Sequence, residues 1–216
     1  MARSFRPVAK LERSSQGNRL PKPKIVIVCE GKKTEPTYFE DFKKSHSNGL
    51  VEVESIGGCG VPISVVERAI EERKQLQAKA RKSRDSFDLF FEVWAVFDRD
   101  EHPVGQVPRA LELAASNAIK IAYSNPCFEV WGLMHYKCCA RPGHHHDTQS
   151  ELKSLLKDYC HDTNPIFSLQ ILSPMYFDAV RNASRALAQR EQEGHPSGDP
   201  STTVHLLTER IREGPL

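Results

Sequence analysis

Five acids and a histidine stand just beyond two apolar runs of this chain, and they are residue types that can hold a hard divalent cation. Ile25 to Cys29 is a continuous apolar run between Pro23 and Gly31, and Glu30 follows it, with Glu35 five residues on. Val93 to Phe97 is a second such run, followed by Asp98, Asp100, Glu101 and His102. Runs of this kind predict strands buried on both faces of a sheet. In open parallel sheets ligands collect beyond the carboxyl ends of such strands. Converging carboxylates with little Cys or His among them suit Mg2+ or Mn2+, which shares phosphate oxygens with a substrate. The chemistry that fits is phosphodiester hydrolysis or nucleotidyl transfer, with Glu30 as general acid or base and the ion stabilising charge on the phosphate. Asp98 and Asp100, two apart on an extended chain, can bracket one ion.

Each of these residues also has a structural reading. Glu30 and Glu35 near a helix start would favour its dipole, and Asp98 and Asp100 are turn residues. Two separate strand ends that both present acids make the metal site the better account. Lys32 and Lys33 lie between Glu30 and the next helix, where ammonium groups and helix amides would attract an anion; a plain charged turn is the other reading. Asn125, Glu129 and His135 frame an apolar stretch, as pocket residues or as a cap, a helix-start acid and a core histidine. The candidate substrate contacts are therefore Lys32, Lys33, His102, Asn125 and Glu129. His144, His145 and His146 are contiguous in a polar stretch after Pro142 and Gly143, so they are expected to face different ways and bind metal only adventitiously.

The elements that must position these groups follow from periodicity. Thr34 caps a helix that accepts Pro36 in its first turn and runs to about Ser45, which puts Glu30 in a tight strand-to-helix turn. Leu50 to Ile56 alternates as a half-exposed strand and ends at Gly57, Gly58 and Gly60. Ile63 to Ser83 reads as a long charged helix, its outer face solvated and laced with i,i+4 pairs. Phe90 to Phe97 and Ile119 to Ala122 are strands, and Pro108 to Asn117 and Phe128 to Tyr136 are helices. Arg141 to Asp147 is a polar loop, and Gln149 to Tyr159, Pro174 to Gln192 and Thr202 to Ile211 are further helices. Alternating strands and helices predict an α/β fold: a small, mostly parallel sheet flanked by helices, with a C-terminal helical appendage.

A chain of 216 residues can bury a core without disulfides. Its six cysteines, with no CxxC pair, argue against a disulfide or zinc framework. No apolar stretch approaches the roughly twenty residues of a membrane helix, and the start lacks the apolar core of a signal peptide, so a cytoplasmic protein is expected. The net charge of +2 hides a basic arm: Arg3, Arg6, Lys10, Arg13, Arg19, Lys22 and Lys24 against Glu12 alone. That arm reads either as a tether for nucleic acid or as a solubilising tail.

Four blocks, VCEGKKTEPTYFEDF, VWAVFDRDEH, IAYSNPCFEVWGLMHY and the terminal DPSTTVHLL, resemble the RloB-like proteins, which are found beside restriction systems and are related to abortive-infection proteins. That family looks like a divergent Toprim domain. In Toprim proteins a glutamate after the first strand and a DxD after a later one bind Mg2+ for phosphodiester chemistry; Glu30 matches the glutamate, and Asp98 and Asp100 match the pair. Whether Glu35 is a further ligand or a first-turn helix acid stays open. The resemblance implies a metal-dependent nuclease or phosphodiesterase of antiviral or abortive-infection defence, acting on nucleic acid or a nucleotide. The alternatives are a binding module without turnover, and an effector subunit. OLD-type nucleases carry an ATPase with their Toprim part, whereas this chain has no GxxxxGK[ST] segment, so a neighbouring ATPase would be the partner. The implied division is an arm at 1–24, a Toprim-like core at 25–140 and a helical extension packed on it at 141–216.

Overall fold

Strand β1 (Lys24–Cys29) alternates its side chains between two cores, and the architecture follows from that. Ile25, Ile27 and Cys29 are buried in one apolar cluster and Val26 and Val28 in another. Both faces of the strand therefore need cover, which is the condition for a parallel sheet between helical layers. The computed structural model describes residues 24–46, 52–83, 90–99, 102–103, 105–138 and 142–213. The basic arm up to residue 23, Leu50, Val51, Asp100 and Glu101 lie outside the described residues. Lys24, counted with the arm from sequence, instead opens β1, with its Nζ 2.7 Å from Glu54.

Helix α1 (Thr34–His46), strand β2 (Glu52–Ile56), helix α2 (Pro62–Lys82), strand β3 (Phe91–Asp98), helix α3 (Gln106–Ser116) and strand β4 (Lys120–Asn125) follow in turn. The sheet order is β2-β1-β3-β4 followed by β5 (Ser201–Thr202), the first four strands parallel. One layer is formed by α2 and α3, whose Val65, Val66, Ala69, Val107, Ala110 and Ala114 pack on Val93, Ala95 and Phe97. The outer face of α2 carries the expected i,i+4 contact, Arg68 to Glu72.

The other layer is larger and comes mostly from the C-terminal half. It contains α1 and the helices α4 (Glu129–Met134), α5 (His145–Leu155), α6 (Leu169–Leu172), α7 (Tyr176–Gln192) and α8 (Val204–Glu213). Tyr38, Phe39, Phe42, Phe128, Trp131, Phe167 and Tyr176 supply its aromatic centre, in edge-on, tilted and stacked pairs 5.4–6.4 Å apart. Trp131 Nε1 donates to Tyr38 Oη at 2.7 Å, so the buried polar tips satisfy each other.

The C-terminal segment, expected as a helical extension with a helix from Thr202, also gives the sheet a strand. In β5 (Ser201–Thr202), Ser201 and Thr202 run antiparallel to Asn125 and Ser124 of β4. Two small polar residues carry no apolar alternation, so nothing in their pattern announced a strand. Side chains complete the joint: Ser124 and Thr202 hydroxyls meet at 2.9 Å, and the Tyr123 N–H donates to Thr203 Oγ1 at 2.8 Å. Arg190, buried on α7, donates to the Asp199 carbonyl at 2.8 Å. The STTV part of the terminal motif thus closes the sheet edge. The loop expected at Arg141 to Asp147 is shorter than its polarity suggested, because α5 begins at His145. Among the described residues no helix is long and apolar enough to cross a membrane.

His135 is a core residue. Its Nδ1 lies 2.9 Å from the Trp131 carbonyl, and its ring stands edge-on to Trp131. Burial lowers its imidazole to about 4, against roughly 6.5 in an unfolded chain. The unfolded state therefore binds a proton first as pH falls. Stability complete above about pH 6.5 should drain away towards pH 4, by about 3 kcal/mol from this group; burial lowers His46 and His205 in the same direction. Urea unfolding at pH 7.5 and pH 5.0 should show this decline, and a His135→Gln chain should show a shallower one; equal slopes would contradict it.

Candidate functional site

Parallel pairing of β1 with β3 brings Glu30 and Asp98 together. Cys29 lies opposite Val96, and the Glu30 N–H extends the ladder to the Val96 carbonyl at 3.0 Å. Adjacent strand ends are about 4.8 Å apart, so acids just past them must converge. The Asp98 N–H donates to Glu30 Oε2 at 3.3 Å, and His102 Nε2 lies 2.7 Å from Glu30 Oε1. Asp98 Oδ2 in turn accepts the Phe128 N–H at 3.2 Å, just ahead of α4. The Arg99 guanidinium donates to the His102 carbonyl at 3.1 Å. One ligand atom from each of Glu30, Asp98 and His102 lies within 4.8 Å of the other two, and all three side chains are only partly exposed.

The turn bearing Glu30 is supported by the glycine loop after β2. The Gly58 N–H donates to the Gly31 carbonyl at 2.8 Å. At Gly57 a Cβ would stand 2.5 Å from Pro36 and 2.7 Å from the Gly31 carbonyl oxygen, and Gly58 adopts φ +77°. Only glycine allows this backbone-to-backbone approach.

Glu35, left open between ligand and helix acid, faces a cavity beside Glu30 and Asp98 but bonds to the turn: Gly31 N–H donates to its Oε1 at 3.2 Å. It lies outside the Glu30–Asp98–His102 convergence. It is 7% exposed, and burial raises its carboxyl above the ordinary value.

The cavity beside Glu30 and Asp98, about 250 Å3, is walled by Thr34, Glu35, Cys127, Phe128, Glu129, His145, His146, Gln149 and His161. Glu129 is nearly fully buried. Its carboxylate accepts from Tyr159 Oη and, at 2.9 Å, from His161 Nδ1. Burial pushes its carboxyl up, but the bonds from His161, Tyr159 and Cys127 outweigh burial and hold it below the ordinary value. Burial, and after it the same carboxylate, drive the Tyr159 and Cys127 groups well up.

Of the residues singled out from sequence, the fold brings Glu30, Asp98, His102, Glu35 and Glu129 to one place. Asn125 and His135 do not line the cavity. Asn125 ends β4 and donates to the Ser197 carbonyl at 3.0 Å, and α4 is capped at Phe128 without a side-chain bond, so Asn125 does not cap that helix. Lys32 and Lys33 are exposed on the turn and are not among the lining residues. Asp100 falls outside the described residues.

Sequence reasoning missed His161, Tyr159, Cys127 and Gln149, which come from distant segments with no motif in common. The three histidines, expected to face different ways, come together instead. Their ligand nitrogens all lie within 4.8 Å of one another. The backbone passes from extended at His144 (φ −75°, ψ 150°) into α5 at His145.

Residues 25–211 match the family described as RloB-like protein. The chain belongs to the RloB-like family. No curated protein and no solved structure matches it. In this RloB-like chain the match begins at β1 and ends in α8, so it takes in both walls of the cavity.

The Gly31 turn gives a direct check. A Cβ there would stand 2.2 Å from Glu35 Oε2, whose carboxylate is buried and bonded to the same residue. Gly31→Ala should cost about 1–3 kcal/mol in urea unfolding; an unchanged midpoint would contradict this packing.

Proposed function

We propose that this RloB-like chain is a Toprim-type, Mg2+- or Mn2+-dependent phosphodiesterase that acts on nucleic acid, in cytoplasmic antiviral or abortive-infection defence. The observation that carries the reading is the convergence of Glu30 and Asp98 at neighbouring parallel strand ends, with His102 against Glu30. The donor set fits a hard ion: two carboxylates at the mouth of a polar cavity, with one imidazole that makes Mn2+ as acceptable as Mg2+. Glu30 and Asp98 would hold the cation. When bound, it supplies Lewis-acid stabilisation of charge on a phosphate.

The chain's own groups would do the rest. Glu30 carries a proton to or from the reacting oxygen at its carboxylate, and His102 keeps that carboxylate aimed by the contact at Oε1. The Phe128 N–H orients Asp98 through Oδ2. Glu35 fixes the turn that presents Glu30. Glu129 and His161 belong to the polar lining of the same cavity, where the Glu129 carboxylate can accept from a ribose hydroxyl. The defence role rests on the company of the family, and any ATP dependence would come from a neighbouring ATPase subunit.

One observation favours a second reading. Both carboxylate oxygens of Glu30 already have partners within the fold, His102 and the Asp98 N–H, which suits a rigid binding module for nucleotide or nucleic acid without turnover. Ligand-induced thermal stabilisation that survives chelation, with no product, would identify that case.

Purified protein with Mg2+ or Mn2+ should hydrolyse single- or double-stranded DNA or RNA, measured by gel. Glu30→Gln and Asp98→Ala should each lose about 10²–10⁴ of that rate. Full activity in both variants would contradict the assignment.

A further inference from the structure

Three contiguous imidazoles, two of them lining the cavity that holds Glu30 and Asp98, have no part in the phosphodiesterase reading. His144 is the N-cap of α5, and His145 and His146 open the helix. Their ring centroids are 4.1 Å (His144–His145), 4.1 Å (His145–His146) and 5.1 Å (His144–His146) apart. One nitrogen from each falls within 4.8 Å of the others. Nitrogens bound to a tetrahedral ion at about 2.0–2.1 Å stand roughly 3.3 Å apart, so small side-chain rotations would complete the set.

We propose that His144, His145 and His146 form a binding site for a borderline divalent cation of the Zn2+ class, distinct from the carboxylate site. Ligand softness separates the two. Imidazole selects zinc and its neighbours, whereas the Glu30 and Asp98 pair is oxygen-rich and suits Mg2+ or Mn2+. His145 and His146 line the cavity that also holds Glu30 and Asp98, so an ion with three protein ligands would keep an open position towards that space, as zinc sites with a reactive fourth position do.

Two terms oppose the ion. The positive end of the α5 dipole disfavours a cation there, and Asp147 in the first turn offsets it. His144 Nδ1 also accepts the His146 N–H, but at 3.4 Å that cap is long, and metal coordination would replace a weak bond with a strong one. Asparagine is itself a good N-cap, so His144→Asn keeps the helix start while removing the ligand.

The test uses the untagged, metal-stripped full chain titrated with Zn2+ by calorimetry, together with zinc-edge X-ray absorption. The site predicts one tight zinc equivalent with three imidazole nitrogens in its shell. The combined variant His144→Asn, His145→Asn, His146→Asn should lose more than the roughly 10–100-fold affinity expected from disturbing a supporting group alone, while Mn2+ binding that depends on Asp98 persists. Unchanged zinc affinity in that variant would overturn the proposal. So would loss of zinc in Asp98→Ala instead, or weak binding with a mostly oxygen shell, which would mean an adventitious ion only. None of these readouts depends on the chain having phosphodiesterase activity.

Discussion

The site depends on the register between β1 and β3. Pairing Cys29 with Val96 puts Glu30 one step past the end of its strand and Asp98 at the last position of the neighbouring strand. The Asp98 N–H to Glu30 Oε2 bond then joins the two acids directly. A slip of one residue would turn every side chain of β1 to the opposite layer. Ile25, Ile27 and Cys29 would leave the aromatic cluster for the smaller one, so the core that stabilises the fold also fixes the geometry of the carboxylates. Everything else around the site adjusts from there: the glycine loop braces the turn, Glu35 ties it to α1, and Phe128 orients Asp98.

The C-terminal third matters more to the site than a helical appendage would. It covers one face of the sheet with α7 and α8, extends the edge through Ser201 and Thr202, and supplies His145, His146, Gln149 and His161 to the cavity. Its attachment is polar as well as apolar. Glu92 on β3 accepts from Arg210 at 2.7 Å and from Trp94 at 3.1 Å, with Lys120 at 3.0 Å. Burial pushes the Glu92 carboxyl up, and these bonds, Arg210 first, outweigh it and bring it below the ordinary value. The cavity is therefore shared between two halves of the chain that the residue pattern made look separate.

The strands were legible because each is short, apolar and punctuated: Ile25 to Cys29 between Pro23 and Gly31, and Val93 to Phe97 before Asp98. The acids were legible for the same reason, since they stand where those runs stop. Periodicity also gave α1, α2 and α7 closely. β5 was not legible, because Ser201 and Thr202 join the sheet through backbone and hydroxyl bonds that leave no apolar signature. The start of α5 was hidden by three histidines, whose polarity reads as loop although the backbone turns helical at His145. The pairing of Glu129 with Tyr159 and His161 joins residues about thirty positions apart, and no local pattern reports such a contact. Asn125 shows the opposite error: its place before Pro126 suggested a cap, yet its amide bonds to the Ser197 carbonyl.

A hard cation bound at the ends of β1 and β3, as proposed, would be visible directly. The most direct measurement is anomalous scattering from crystals of the full chain soaked in Mn2+, with Asp98→Ala crystals as the control. A peak is expected within coordinating distance of the Glu30 and Asp98 carboxylates, and it should disappear in the variant. A well-ordered site with no peak there, or a peak that persists without the Asp98 carboxylate, would contradict the proposal.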